Sequence, residues 1–386
     1  MNYRFVVFIS IIMCFLAMAA FYVGQRAIGR SSWAQAHREI VWLALAIFVL
    51  LQFLGPYLYR IYPDSSSRLF ILHWVSYTAM GVFFSMFFYT LAADLLLGLW
   101  KLIARPVDSV PFHQGFLALV LIMTFGSTLI GIAQVVRGPK VYRVDIPIRG
   151  LAPQLEGFRI AQISDLHIGP TIGRKYTAKV VEEVNRLDAD VVALTGDLVD
   201  GSIGQLRNAV ELISKIEARN GKFFVTGNHE YYWGVQAWLN EFKRLGLQVL
   251  VNEHVLIEHH GTRIAVAGVT DHTARTVTHS DSTDARRAIQ GAPDNVVRIL
   301  LAHQPSVYRD ASEAGFDLQL SGHTHGGQFF PWSIVVALAH KYYKGLYRHE
   351  NMWIYVNRGT GYWGPPIRFG VPAEITLLTL RRQTES

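Results

Sequence analysis

The stretch Gly322-His323-Thr324-His325-Gly326-Gly327-Gln328 concentrates candidate functional residues in a short glycine-rich segment. It places two histidines two residues apart between glycines, directly after the apolar run 316–320. If this run is a β-strand, the loop after it aims both imidazoles into one site, and the glycines let the backbone approach a bound group closely. A histidine pair alone is weak evidence for a metal site, so partners from elsewhere in the chain must complete it.

From Phe158 onward, short apolar runs alternate with helical stretches. The predicted strands that bear on the site are 158–163, 190–194, 222–225, 297–301 and 317–320. Runs 249–257 and 262–269 predict a hairpin that turns at His260-Gly261. Alternation of strands and helices predicts an α/β domain, and the later, strand-rich part suggests a second sheet.

Side chains suited to metal binding follow five of these strands. They are Asp165 and His167, then Asp197 and Asp200, then Asn228 and His229, then His303, and finally His323 and His325. In open α/β sheets, ligands bind at the carboxyl ends of the strands, which predicts that these residues converge. The one cysteine, Cys14, lies in an apolar run, so the site must use nitrogen and oxygen ligands. Such ligands suit manganese, iron or zinc.

The first 137 residues have a different character. The chain of 386 residues is 51% hydrophobic and 17% charged, which is too apolar for an ordinary soluble protein. The excess lies in the apolar runs 5–23, 40–59, 69–100 and 116–136. Three of them are close to the roughly 20 residues that cross a bilayer, and the longer run 69–100 contains a span at about residues 72–91. They predict four transmembrane spans. A cleaved signal peptide is the alternative for the first run.

Charge is also unevenly distributed. Residues 1–149 contain 12 basic and 5 acidic residues, which accounts for the whole net charge of +7 and leaves 24 of each sign in the remainder. Because the second half is balanced, we expect no nucleic-acid partner. The side of the membrane shared by both ends of the four spans carries Arg4, Arg60, Arg68, Arg137, Lys140, Arg143 and Arg149, against Arg26, Arg30, Arg38, Lys101 and Arg105 opposite. Seven against five favours an inner-membrane protein with a cytoplasmic catalytic domain.

We therefore divide the chain into a four-span transmembrane region (1–137), a linker (138–157) and a catalytic domain (158–386). The linker is inferred from Pro139, Pro147 and Pro153 with several glycines. Asp94 lies near the predicted end of the third span, where we expect it to be solvated at the membrane interface.

The blocks Asp165-x-His167, Gly196-Asp197-x-x-Asp200, Gly227-Asn228-His229-Glu230, His303 and Gly322-His323-Thr324-His325 occur together and in order. In this the sequence resembles the calcineurin-like metallophosphoesterase superfamily, over roughly residues 158–328. Its double-histidine loop and the tail 357–361 look most like the membrane-associated bacterial branch. That branch includes anchored phosphoesterases and a lipid A pathway hydrolase that acts on a UDP-diacylglucosamine.

The resemblance implies a four-layer α/β/β/α fold with two divalent metals at the sheet edge. It assigns Asp165, His167 and His325 to one metal and Asn228, His303 and His323 to the other, with Asp197 bridging them. His229 would then be the catalytic residue, stabilising the transition state or protonating the leaving oxygen. Asp200 and Glu230 are expected to orient histidines.

These features predict a membrane-anchored metallophosphoesterase that hydrolyses phosphodiester or pyrophosphate bonds. The apolar segment 329–338, followed by lysines, is typical of a membrane interface and favours a lipid-linked substrate, although a buried helix has the same composition. Tyr231, Tyr232 and Trp233 either line a substrate pocket or pack ordinarily. The alternatives are a tethered phosphodiesterase for soluble substrates and a non-catalytic metal-binding sensor.

Overall fold

The computed structural model describes residues 3–61, 69–103, 110–277 and 282–383. Arg68 and Arg105, used in the charge count, lie outside these residues. The chain forms two compact units. One, the helical unit, comprises residues up to Ala133 with Phe330–Trp332 and Gly364–Phe369, and the other, the sheet unit, comprises the rest.

The helical unit contains five helices in the part of the chain that is described. They are α1 (Tyr3–Arg30), α2 (Ser32–Ala36), α3 (Arg38–Ile61), α4 (Phe70–Ile103) and α5 (Val110–Arg137), whose last turn extends past Ala133. Four of them, all but α2, are long and apolar enough to cross a membrane. The predicted apolar runs are thus confirmed as helices. Helices α1, α3 and α5 extend past both ends of their runs, whereas α4 extends only past the C-terminal end.

Small residues bring the membrane helices close together. The Gly55 amide of α3 donates a hydrogen bond to Ser76 Oγ of α4 at 2.9 Å, and a Cβ at Gly55 would lie 2.8 Å from the Ser76 Cβ. Helices in lipid associate through close packing of this kind. The hydrophobic effect does not drive their association, because lipid tails are as apolar as the helix surfaces. Trp332, which belongs to the helical unit, packs its ring against Phe84 and Phe88 of α4.

The sheet unit contains twelve strands and eight further helices among the described residues. The strands are β1 (Lys140–Ile148), β2 (Arg159–Ile163), β3 (Val191–Leu194), β4 (Lys222–Phe224), β5 (Gln248–Val249), β6 (Glu253–His259), β7 (Thr262–Gly268), β8 (Val297–Leu301), β9 (Leu318–Ser321), β10 (Gly345–His349), β11 (Met352–Val356) and β12 (Glu374–Arg382). The helices are α6 (Arg174–Asn185), α7 (Ile203–Val210), α8 (Asn228–Tyr232), α9 (Val235–Arg244), α10 (Thr273–Val277), α11 (Ala285–Ile289), α12 (Tyr308–Glu313) and α13 (Trp332–Ala339).

The strands form two six-stranded sheets, in the orders β1-β12-β2-β3-β4-β5 and β10-β11-β9-β8-β7-β6. A core of buried aliphatic side chains from both sheets, including Ile160, Val191, Ile299 and Leu320, lies between them. A second cluster packs α11 and α12 onto the other face of the second sheet. The four-layer α/β/β/α prediction is confirmed, and the predicted hairpin is the pair β6–β7.

Two strands, β1 and β10, were missed by the sequence analysis. Residues 140–148, within the predicted linker, form β1 and pair in parallel with β12 over the whole length of both strands. Pro147 was interpreted as a linker residue, but β1 is the edge strand of its sheet, and sheets tolerate proline in edge strands. The sheet therefore begins before Phe158.

The strand directions explain where the predicted site residues lie. β2, β3 and β4 are parallel neighbours in the first sheet, and β7, β8 and β9 are parallel neighbours in the second. Parallel strands end at the same edge of a sheet. The loops after β2, β3, β4, β8 and β9 are the ones that carry the predicted site residues.

Candidate metal centre

Most of the predicted ligands sit on unusual backbone. Asp165, His167, Asp197, His323 and His325 all have positive φ angles, between 50° and 68°. A left-handed conformation at a residue with a side chain is uncommon and costs on the order of 1–3 kcal/mol. The surrounding structure therefore holds these five residues in a left-handed conformation just after their strands. This conformation directs their side chains toward a common space.

Two glycines allow the loops to come this close. A Cβ at Gly227 would lie 2.1 Å from Asp197 Oδ1, and one at Gly322 would lie 2.2 Å from Asp165 Oδ2. Both distances are far shorter than van der Waals contact. Any larger residue at either position would displace a predicted ligand.

The first group of donors consists of Asp165, His167 and His325. The two imidazoles face each other with 3.0 Å between their Nε2 atoms, and His325 Nε2 lies 3.4 Å from Asp165 Oδ1. Two nitrogens that bind one cation at right angles, each at about 2.1 Å, are separated by about 3.0 Å. The spacing therefore fits a shared metal ion.

The second group consists of Asp197, His303 and His323. His303 Nε2 lies 3.1 Å from Asp197 Oδ2 and 3.2 Å from His323 Nδ1. The Asn228 side chain adds an independent observation, because its buried Oδ1 has no hydrogen-bond partner. A buried amide oxygen without a partner is costly in a native structure, and a divalent cation is a ligand that satisfies it.

Hydrogen bonds determine which nitrogen of two histidines is free to bind. His303 Nδ1 lies 2.8 Å from the Thr195 carbonyl, which can only accept a hydrogen bond, so Nδ1 carries the proton and Nε2 presents its lone pair. His167 Nδ1 similarly lies 3.0 Å from Asp200 Oδ2. Carbonyl and carboxylate partners of this kind fix the tautomer of metal-binding histidines.

His229 lies beside both groups. It forms a third donor cluster with His167 and Asp197, its Nδ1 is hydrogen-bonded to Asp200, and its Nε2 lies 3.9 Å from Asp197 Oδ2. Burial alone would lower the pKa of His229, but the carboxylates of Asp200 and Asp197 outweigh burial and raise it to about 10. The protein's own charges thus favour a protonated imidazole at this position.

The environment of Asp197 favours its ionised form. Burial would raise the pKa of Asp197, but the neighbouring imidazoles of His303 and His229 outweigh burial and hold that pKa well below its usual range. His323 is affected in the opposite direction, because burial and the neighbouring His303 lower its pKa to about 4. An ionised carboxylate beside a neutral imidazole is the donor chemistry that a divalent cation requires.

Of the two residues expected to orient histidines, only one does so. Asp200 hydrogen-bonds both His167 and His229, as expected. Glu230 instead accepts hydrogen bonds from the backbone amides of Asp197, Leu198 and Gly227. Sequence adjacency to His229 suggested the wrong partner, because α8 turns the Glu230 carboxylate back under the Asp197 loop.

Two exposed aromatic rings flank His229. The rings of Tyr232 and Trp363 lie 5.3 Å and 5.6 Å from the His229 ring, and the two residues are 61% and 56% exposed. Tyr231, by contrast, is buried. Trp363 was missed by the sequence analysis, because it lies far along the chain from every ligand block. Its position among the glycines and prolines at 359–366 was the available signal of a surface loop.

The sequence profile of the calcineurin-like phosphoesterase family matches residues 158–327. A transmembrane protein with metallophosphoesterase domain from Danio rerio is 33% identical over 395 residues, which cover 97% of this chain and 89% of that protein. The chain belongs to the calcineurin-like metallophosphoesterase family.

Further relatives are similar over shorter lengths. The protein of the same description from Bos taurus is 35% identical over 80% of this chain and 73% of its own length. An uncharacterized metallophosphoesterase of Helicobacter pylori (strain ATCC 700392 / 26695) is 39% identical over 63% of this chain and 64% of its own. Family membership and the four apolar helices together establish a membrane-anchored, metal-dependent phosphoester hydrolase.

Proposed function

We propose that this enzyme hydrolyses phosphodiester or pyrophosphate bonds of a lipid-linked substrate at a centre of two metal ions. The observation that carries the proposal is the presence of two donor groups, Asp165 with His167 and His325, and Asp197 with His303 and His323, in loops that follow the strands of both sheets. A single structural metal would need only one such group.

In this proposal Asp165, His167 and His325 hold one ion, and Asn228, His303 and His323 hold the other, with Asp197 shared between them. The mixed imidazole and carboxylate donors suit manganese, iron or zinc. When bound, two divalent ions supply Lewis acidity for a phosphate oxygen and for an attacking water.

His229 serves as the catalytic residue. Asp200 holds its Nδ1, so the proton available for transfer is on Nε2, which faces the Asp197 side of the site. A histidine in this state donates a hydrogen bond to a phosphoryl oxygen and then a proton to the departing oxygen, which makes the leaving group neutral. Asp200 acts through His229 and His167 and is a positioning residue.

The surfaces of the sheet unit support an apolar substrate. Tyr232 and Trp363 present exposed rings on the two flanks of His229. Helix α13, which begins four residues after Gln328, has no buried residue, and its Leu338 is 85% exposed. Exposed apolar side chains on a helix followed by Lys341 and Lys344 are typical of a segment that lies in a lipid interface.

The proposal places the enzyme in the inner membrane with its catalytic domain on the cytoplasmic side, supported by the distribution of basic residues between the spans. Labelling of intact cells by a membrane-impermeant maleimide tests this orientation. The reporter is a cysteine at the exposed position Asp188 in a Cys14→Ser background, and labelling before lysis would contradict a cytoplasmic domain.

The lipid assignment is tested with two diesters that share one leaving group, p-nitrophenyl methyl phosphate and p-nitrophenyl hexadecyl phosphate. Both are presented to the purified protein in mixed micelles with manganese. We expect a kcat/KM at least roughly tenfold higher for the hexadecyl ester, because burying several CH2 groups at about 0.8 kcal/mol each is worth more than that factor.

A matched variant separates substrate capture from chemistry. In Ile334→Ser/Leu338→Ser we expect the preference for the long chain to shrink while turnover of the methyl ester stays unchanged. Equal kcat/KM for both esters in the wild type would instead identify a tethered enzyme for soluble substrates. No turnover of either ester with two metals bound would favour a metal-binding sensor.

A further inference from the structure

A second cluster of charged side chains lies in the helical unit and shares no residue with the metal centre. The C-terminal parts of α1 and α4 and the N-terminal part of α5 enclose a cavity of about 300 Å³. Its charged and titratable lining residues are Arg26, Arg30, Asp94, Lys101 and His113. Gly29 and Gly98 also line it, and a Cβ at either glycine would meet no atom within 4 Å.

Among the described residues, Asp94 is the only acid in this lining. Arg26 Nε lies 2.6 Å from its Oδ2, Arg30 is bonded to its Oδ1, and the Tyr22 hydroxyl donates to Oδ2. The expectation that Asp94 is simply solvated at the membrane surface is therefore wrong. The carboxylate is held by two helical neighbours, Arg26 and Arg30, which share one face of α1 because they are four residues apart.

The charges of this cavity do not balance. Among the described lining residues, three permanent cations, Arg26, Arg30 and Lys101, face one carboxylate, which leaves an excess of two positive charges before His113 is counted. Arg30 is only 7% exposed. Charges within membrane helices are expensive and are normally paired, so an uncompensated excess around open space indicates a missing anion.

We propose that this cavity binds a phosphate group, supplied either by the headgroup of an anionic lipid or by a soluble phosphate. Guanidinium groups match phosphate oxygens in geometry, and lysine adds a point charge. The volume suits a phosphate or a small headgroup. The proposal is independent of the metal centre, because all of these residues belong to the helical unit.

The test uses the full chain in neutral detergent with EDTA, so that no ligand is hydrolysed. Binding is measured as the shift of the melting temperature on titration with phosphatidic acid, with phosphatidylcholine, and separately with inorganic phosphate. We expect phosphatidic acid to stabilise the wild type and phosphatidylcholine to have no effect. In Arg26→Gln/Lys101→Gln the affinity should fall about 25-fold, since each cation near an anionic headgroup contributes about a factor of five.

Arg38→Gln is the matched control, because Arg38 is an exposed basic residue at the start of α3 that does not line the cavity. It should bind within twofold of the wild type. If the double variant does not fold, Lys101→Gln alone should weaken binding about fivefold.

The outcomes are distinct. Stabilisation by phosphatidic acid alone supports the lipid source, and stabilisation by inorganic phosphate with the same loss in the variant supports the soluble source. Absence of stabilisation by either probe overturns the proposal. Equal binding by the wild type and the double variant overturns it as well.

Discussion

In the sheet unit, five loops bring four histidines, two carboxylates and an amide to one place, whereas in the helical unit one face of α1 brings two arginines to a single carboxylate on α4. The first arrangement presents lone pairs. His303 Nε2 and the unpartnered Asn228 Oδ1 are acceptors buried in the protein. The second arrangement presents N–H donors in excess of acceptors.

The difference teaches how each unit selects the sign of its ligand. Converging lone pairs attract a cation, and converging N–H groups attract an anion. Each cluster is also supported differently. Strained loop backbone fixes the donors around Asp197, while regular helix geometry is sufficient for Arg26 and Arg30. The same substitution, aspartate to asparagine, should therefore have different consequences in the two units.

The largest effect is expected for Asp197→Asn. In the proposed centre Asp197 is shared by both ions, so its substitution removes a charge that both require, and we expect manganese-dependent hydrolysis of bis-p-nitrophenyl phosphate to fall by more than roughly 10³-fold. If Asp197 only formed a hydrogen bond to a metal ligand, its substitution would lower activity by about 10–100-fold. The measurement is initial rate together with metal content.

Asp188→Asn is the control for this substitution, because Asp188 is an exposed acid that pairs with Arg159 and Arg219 on the surface. It should retain the wild-type rate. Unimpaired hydrolysis by Asp197→Asn would exclude this cluster as the catalytic centre.

A smaller effect on rate is expected for His229→Asn. Loss of a positioned acid typically lowers kcat by about 10²- to 10⁴-fold, and the seven proposed ligands remain in place. We therefore expect a slow enzyme with an unchanged manganese content, and a smaller defect for a diester with a more acidic phenol as leaving group. An equal defect for all leaving groups would show that His229 does not donate a proton.

The smallest effect on hydrolysis is expected for Asp94→Asn, which makes in the helical unit the same substitution that Asp197→Asn makes in the sheet unit. Hydrolysis should stay within about twofold of the wild type. The free energy of unfolding should fall by about 3 kcal/mol, because the nearly buried Arg30 loses its counterion. Thermal unfolding of the full chain in detergent measures this difference.

Asp188→Asn again provides the control, since the ion pairs of the exposed Asp188 side chain are screened by solvent and contribute little to stability. Loss of hydrolysis in a folded Asp94→Asn protein would show that the two units do not act independently.

The sequence by itself determined the order of the motifs, the four long helices and the set of candidate ligands. Each of these depends on local information. Apolar runs of about 20 residues identify spans, and a polar residue directly after a short apolar strand identifies a sheet edge. His303 was identified in this way although no second predicted ligand lies near it in the sequence, because it also follows a short apolar strand.

Only the tertiary structure decided which distant residues meet. Glu230 accepts a hydrogen bond from the Asp197 loop, and Trp363 lies against His229. Strand β1 pairs with β12, more than 200 residues later in the sequence. Asp94 pairs with arginines on another helix. None of these contacts leaves a periodic or local pattern. They arise because separate elements pack against each other, and the side chains that meet there are fixed by the fold rather than by their neighbours in sequence.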